Sequence, residues 1–274
     1  MPFLNTTTTP TTLHYVDIGQ GQPVVLVHGW PLSHRMWESQ ITALTEAGYR
    51  CIAYDRRGFG ESGRPTAGYD YDTFASDLND LITALDLQHV VLVGFSMGGG
   101  EVARYIGTFG TSRVAKAILL GSVTPFLLKT DDNPDGAPQE LFDGMIAGVK
   151  KDRIGFLDSF FPNFYNADTN IAGVSADLIP YSKSIAWPAS PLGTVQCITA
   201  FGTTDFRSDL AKFDKPTLIV HGDADRIVPI DISGKKAAAL IAGSRYEVLA
   251  GAPHGFAATH AAELNAILLD FLAH

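Results

Sequence analysis

Residues 90–101 read Val90-Val91-Leu92-Val93-Gly94-Phe95-Ser96-Met97-Gly98-Gly99-Gly100-Glu101. Val90 to Val93 is a short, mostly β-branched run, suited to a strand buried on both faces. Gly94 to Gly98 fits G-x-S-x-G, and Val102, Ala103, Tyr105 and Ile106 then fall on one side of a helix. Strand, tight turn and helix in that order make the motif a nucleophile elbow. The glycines have a steric reason. Any side chain at Gly94 or Gly98 would crowd the backbones that pass there. The turn lifts the Ser96 hydroxyl above the sheet and leaves the first free N–H groups of the helix facing whatever that hydroxyl attacks.

The flanking sequence repeats the same alternation. Thr12 to Ile18 reads as a strand, and Gly19-Gln20-Gly21 predicts a turn that folds it back as a hairpin. Val24 to Val27 is a buried strand running into His28-Gly29-Trp30-Pro31. Ser33 predicts a cap for a helix carrying Trp37, Ile41 and Leu44, which Gly48 ends. Cys51 to Tyr54 is the next strand, and Asp72 predicts the cap of a helix with Phe74, Leu78, Leu81 and Leu85 on one side. Ala117 to Leu120 follows the elbow helix as another strand. Strands and helices alternating at this length mean an α/β fold with a mostly parallel sheet and right-handed crossovers.

The pattern changes after Val123. From Thr124 to about Leu210 no buried strand is predicted; a turn at Asn133-Pro134-Asp135-Gly136 and aromatic-rich helical segments stand there. Phe142 and Met145 share one helix. Phe156, Phe160 and Phe164 recur every four residues on another, as lid-to-core packing or a pocket wall. Strands return at Pro216 to His221 and Tyr246 to Leu249, and a helix from Ala257 to Leu272 closes the chain. The expected organisation is a core of residues 1–123 and 211–274 interrupted by a helical lid, 124–210.

The 274 residues are 46% hydrophobic and 18% charged, enough for a large core, and the formal charge is −9. That balance argues against nucleic acid or an anionic membrane as a partner and suits a neutral small-molecule substrate. No run of about 18 apolar residues spans a membrane. The first ten residues have neither a basic start nor an apolar core, so a cytoplasmic location is expected. Cys51 lies in an apolar strand and is expected as a buried free thiol; Cys197 is the other cysteine.

A serine hydroxyl needs a base, and that base needs an acceptor behind it. Two loops supply both: Gly222-Asp223-Ala224-Asp225-Arg226-Ile227-Val228-Pro229, and Ala250-Gly251-Ala252-Pro253-His254-Gly255-Phe256. Each follows a strand's C-terminal end, where open α/β sheets place their sites. Asp223, directly after the strand, reads as a turn former; Asp225, which Ile227 to Pro229 can pin, is the preferred acid. Among eight histidines, His254 alone sits on a Gly- and Pro-bounded strand-end loop and is the expected base. His14, His89 and His274 read as solvated, His221 as packed, His28 as a loop prop, and His260 lies on the last helix. Met97 N–H and Trp30 N–H are the expected oxyanion donors, with Gly29 allowing close approach and Pro31 allowing a cis Trp30–Pro31 peptide. Metal and nucleotide motifs are missing: no H-E-x-x-H, no cysteine pair at ligand spacing, no P-loop. No metal or other cofactor is expected.

H-G-W-P at 28–31, Y-D-R-R-G-F-G-E-S at 54–62, G-F-S-M-G-G-G-E at 94–101, H-G-D-A-D-R-I-V-P at 221–229 and G-A-P-H-G-F at 251–256 together resemble the α/β-hydrolase group of cofactor-free haloperoxidases (perhydrolases), bacterial aryl esterases and γ-lactamases. The resemblance covers nearly the whole chain, lid included; the Thr-rich lead-in departs from it. It implies Ser96, Asp225 and His254 as a triad, the Trp30 and Met97 amides as an oxyanion hole, and Trp30, Val123, Phe160, Phe164 and Ile227 as the walls of the acyl pocket. It also implies a homo-oligomer, and a small ester, an amide, or a carboxylic acid plus peroxide as reactants. Lactam opening and an inactive binding fold are the rival readings; the intact Ser, Asp and His argue against the second.

Overall fold

The computed structural model describes residues 2–169 and 175–274. Its strands are β1 (Phe3–Asn5), β2 (Thr12–Ile18), β3 (Pro23–Val27), β4 (Arg50–Tyr54), β5 (Val90–Phe95), β6 (Val114–Leu120), β7 (Thr217–Gly222) and β8 (Arg245–Leu249). They form one sheet in the order β1-β2-β4-β3-β5-β6-β7-β8. β1 and β2 run antiparallel to their neighbours, and every pairing from β4 to β8 is parallel. β5 is buried at all six positions, as its apolar run requires at the centre of a sheet covered on both faces. β8 is the edge strand, and Arg245 and Glu247 keep it polar.

The hairpin expected at Gly19 to Gly21 is not formed. Both glycines turn the chain, with φ of 88° and 91°, but β2 pairs with β4, Tyr15 opposite Tyr54. β3 lies beyond β4, between it and β5. Val24 to Val27 are buried at every position, and parallel ladders to β4 and β5 give β3 a neighbour on each side.

The helices before the lid are α1 (Glu38–Glu46), α2 (Tyr71–Ala84) and α3 (Met97–Phe109). Ser33 caps a 3-10 turn, His34–Trp37, that leads into α1. The cap of α2 is Asp70, not Asp72: extended backbone at Asp70 aims its Oδ1 to accept from Thr73 N at 2.9 Å. Asp72 lies inside the first turn and pairs with Arg104.

Between β6 and β7 the chain leaves the sheet for α4 (Gln139–Lys151), α5 (Arg153–Phe164), α6 (Leu178–Ala186), α7 (Pro191–Thr203) and α8 (Arg207–Leu210). Part of the expected lid, residues 170–174, lies outside the described residues. α9 (Gly234–Leu240) connects β7 to β8, and the C-terminal helix is broken at His260 into α10 (Phe256–Thr259) and α11 (Ala261–Ala273). Both cysteines are buried and unpaired. No helix among the described residues is long and apolar enough to cross a membrane.

Candidate active site

Ser96 joins β5 to α3 at φ 53°, ψ −118°, a conformation that a non-glycine residue holds only where its surroundings impose it. The glycines show how. A Cβ on Gly94 would lie 2.4 Å from the Gly98 carbonyl oxygen, and one on Gly98 would lie 2.2 Å from that of Val27. Strand, helix and the loop after β3 therefore pass in backbone contact, and the turn between them has no room to relax.

The three strand-end residues expected to meet do so. His254 Nε2 lies 2.9 Å from Ser96 Oγ, and His254 Nδ1 lies 2.6 Å from Asp225 Oδ2. Asp225 Oδ1 accepts from the amides of Ile227 and Val228, each at 2.8 Å. His221 Nε2 stands 3.3 Å from Asp225 Oδ2 and 2.8 Å from the Val228 carbonyl. Burial by itself would push the Asp225 carboxyl up. The charge of His254 and the hydrogen bonds of His221 and His254 outweigh it and hold the group well below the usual carboxylate range. Asp223 is exposed and accepts from Gly251 N at 2.6 Å, which ties the β7 and β8 loops together. The imidazole of His254 is packed by Phe95 and Phe164, each ring centroid 5.0 Å away.

Trp30 and Met97 flank the serine. Neither backbone amide has a protein acceptor among the described residues, so both N–H groups are free for a ligand. His28 props the loop as expected: Nδ1 lies 2.9 Å from the Gly29 carbonyl while Nε2 accepts from Arg56 N at 2.9 Å. This makes the Nδ1–H tautomer the fitting one. Burial, aided by the Arg56 charge, pushes the His28 imidazole down to about 3, so it stays neutral at physiological pH. The Trp30–Pro31 peptide is cis.

A pocket of about 400 Å³ opens beside Ser96 and His254. Four of the residues expected as walls line it: Trp30, Val123, Phe160 and Ile227. The Trp30 ring meets Phe160 edge-on at 5.2 Å and Phe201 at 5.8 Å, and its Nε1–H donates to the Thr194 carbonyl at 3.0 Å. Phe164 does not line this pocket. It stands edge-on to His254 and faces a second cavity of about 320 Å³ behind it. Four residues advance a helix by about 40° more than one full turn, so the stripe rotates by about 80° from Phe156 to Phe164. Phe156 lines the pocket, Phe160 sits between, and Phe164 has turned onto Gly255 and the imidazole. Leu127 and Phe201 are walls that the sequence did not signal, whereas Phe142 and Met145 stood out on a lid helix without an assigned role.

His14, expected to be solvated, is fully buried. Its Nδ1 lies 3.0 Å from Asp55 Oδ2, and His34 Nδ1 lies 2.8 Å from Asp55 Oδ1. The donors of His14, His34 and Asp55 group within 4.8 Å, close enough to suggest a cation site. The carboxylate is already fully engaged, because the amides of His34 and Glu61 donate to the same two oxygens at 2.8 and 2.9 Å. The cluster acts as a hydrogen-bonded staple between β2 and the loop after β4.

A family model described as alpha/beta hydrolase fold matches residues 22–261. A non-heme chloroperoxidase from Kitasatospora aureofaciens is 46% identical over 272 residues, covering 97% of this chain and 98% of that one. A bifunctional esterase/perhydrolase from Acinetobacter calcoaceticus is 38% identical, over 97% of this chain and 98% of that one. The crystal structure of a bromoperoxidase from Bacillus anthracis superposes with a TM-score of 0.96 at 51% identity, covering 100% of this chain and 99% of that one.

Proposed function

This chain belongs to the α/β-hydrolase family, and from that premise we propose that it hydrolyses small carboxylic esters through an acyl-enzyme on Ser96, with perhydrolysis as a second outcome of the same intermediate. The observation that carries the reading is the pair of contacts on one imidazole, 2.9 Å to Ser96 Oγ and 2.6 Å to Asp225 Oδ2.

The chemistry follows from those contacts. The Asp225 carboxylate accepts a hydrogen bond from His254 Nδ1–H, which keeps the proton on that nitrogen and leaves the Nε2 lone pair facing the serine hydroxyl. As Ser96 Oγ bonds to the ester carbonyl carbon, its proton passes to Nε2 and the carbonyl electrons move onto oxygen. The amides of Trp30 and Met97 hold that oxyanion. Collapse expels the alcohol, which takes the proton from Nε2. Water then enters, loses a proton to Nε2 and attacks the acyl carbon; Ser96 leaves with that proton and the acid is released. Hydrogen peroxide in place of water gives a peracid by the same steps, and a peracid oxidises halide in free solution. Every step uses side chains and amides of this chain alone.

Apart from Asp135 and Arg226, and from Ser96 and His254 themselves, the pocket is lined by apolar residues, and about 400 Å³ admits a small acyl group. Residues 124–210 are proposed to act as the lid, since α4, α5 and α7 supply most of the wall opposite the sheet. Two cysteines that stay unpaired accord with a reducing cytoplasm. Ser96→Ala on p-nitrophenyl acetate tests the reading. The variant should fold and lose at least about 10³-fold in kcat, and ordinary turnover by it would refute the assignment.

A further inference from the structure

The mechanism leaves one buried ion pair unused. Arg56 and Glu101 have side chains 1% and 0% exposed. Arg56 Nε donates to Glu101 Oε2 at 2.7 Å, and Nη2 of the same guanidinium donates to the His28 carbonyl at 2.8 Å. The Arg56 amide also holds the His28 ring, and the Tyr54 hydroxyl donates to the other oxygen of Glu101. Glu101 lies in α3, five residues after Ser96. One planar fork thus spans from the helix that begins at Met97 to the loop that carries Trp30.

Stability is a poor reason for such a pair. Replacing a buried ion pair by apolar side chains of similar size is often neutral or stabilising. This one also leaves Arg56 Nη1 buried without a protein partner among the described residues, a cost that a merely cohesive core would shed. What the fork does uniquely is geometric. Met97 and Trp30 sit on separate elements, and a Cβ added to Gly98 would already strike the Val27 carbonyl on one side of the seam. Contact limits how closely the two elements approach; a tie is needed to keep them from parting.

We propose that Arg56, fixed by Glu101, is a positioning residue that sets the separation of the two oxyanion donors. The inference rests on the proposed oxyanion hole. It predicts that lysine will not substitute: an ammonium is a compact point charge and lacks the fixed fork that reaches both Glu101 and the His28 carbonyl.

Two variants test it, Arg56→Met/Glu101→Met and Arg56→Lys. Each is measured for thermal midpoint, for kcat and KM on p-nitrophenyl acetate, and for inhibition by phenylboronic acid. Boron accepts a lone pair from Ser96 Oγ, the hydroxyl proton passes to His254, and one boron-bound oxygen takes the oxyanion position. A displacement near 1 Å costs about 10² in rate. The double variant leaves the Tyr54 hydroxyl and the His28 carbonyl without these partners, so its midpoint should fall. While folded it should lose about 10²-fold in kcat with KM changed by less than about threefold, and lose a comparable factor in boronate affinity. Arg56→Lys should lose about tenfold or more in both, and it decides the matter if the double variant does not fold. A purely structural pair would move the midpoint alone, so a folded variant with wild-type kcat and boronate affinity overturns the inference. Wild-type protein that neither turns over the ester nor binds the boronate would instead overturn the oxyanion reading, and the inference with it.

Discussion

Asp225→Asn is the perturbation whose outcome the geometry constrains most tightly. The side-chain oxygen at the Oδ1 position accepts from two amides, Ile227 N and Val228 N, both at 2.8 Å. An asparagine could place either its oxygen or its NH₂ there. Turning the NH₂ toward two N–H donors leaves both without this acceptor, at about 1–3 kcal/mol for a buried group such as Val228 N. The oxygen therefore keeps the Oδ1 position, and the NH₂ occupies that of Oδ2, now 2.6 Å from His254 Nδ1 in the wild-type arrangement. There it donates, so Nδ1 must accept and the ring carries its proton on Nε2. A protonated Nε2 cannot take the Ser96 proton. The wrong tautomer costs about 10⁴ in kcat, equivalent to about 5.5 kcal/mol of barrier. The assay is kcat on p-nitrophenyl acetate at neutral pH, with circular dichroism to confirm the fold. A folded variant within about tenfold of wild type would refute the tautomer argument.

Gly98→Ala would set a Cβ 2.2 Å from the Val27 carbonyl oxygen and 2.9 Å from that of His28. Reaching ordinary contact requires a retreat of about 1 Å, so kcat should fall by about 10², and a near-native kcat would show that the seam is softer than argued. Phe160→Ala and Phe164→Ala should separate by substrate. Phe160 lines the pocket, so its loss should shift acyl-chain preference toward bulkier esters. Phe164 packs on His254, so its loss should lower kcat by a similar factor for every ester tested; the reverse pattern would contradict the assigned faces. The Asp225 carboxyl is held below its ordinary value of 3.8 in the folded state. Its stabilisation is therefore present above that value and lost as pH falls through the depressed folded value. Urea titrations should show the stability gap between wild type and Asp225→Asn at pH 7 narrowing only below about pH 4.

The site was legible because its parts are short and local. G-x-S-x-G carries its own strand and helix, and Asp225 differs from Asp223 by the two amides that follow it within three residues. What escaped depends on distant partners or on phase. Nothing near Gly19 shows that β4, rather than β3, pairs with β2, since β4 enters the chain only after α1. The rotation of the α5 stripe, which carries Phe164 out of the pocket, accumulates over two turns and is hidden in a simple four-residue spacing. His14 looked solvated because its partner Asp55 is 41 positions away. Arg56 and Glu101 are charged residues that a sequence reader assigns to the surface, and only their meeting inside the molecule shows a role.

The proposed reaction passes through a covalent acyl group on the Ser96 hydroxyl. Wild-type enzyme mixed with p-nitrophenyl acetate, quenched in acid during turnover and digested, should yield the peptide containing Ser96 with one acetyl group on that serine, in an amount that tracks the burst of p-nitrophenol. Ester turnover without acetylation of Ser96, or with the acetyl group accumulating kinetically on another residue, would contradict it.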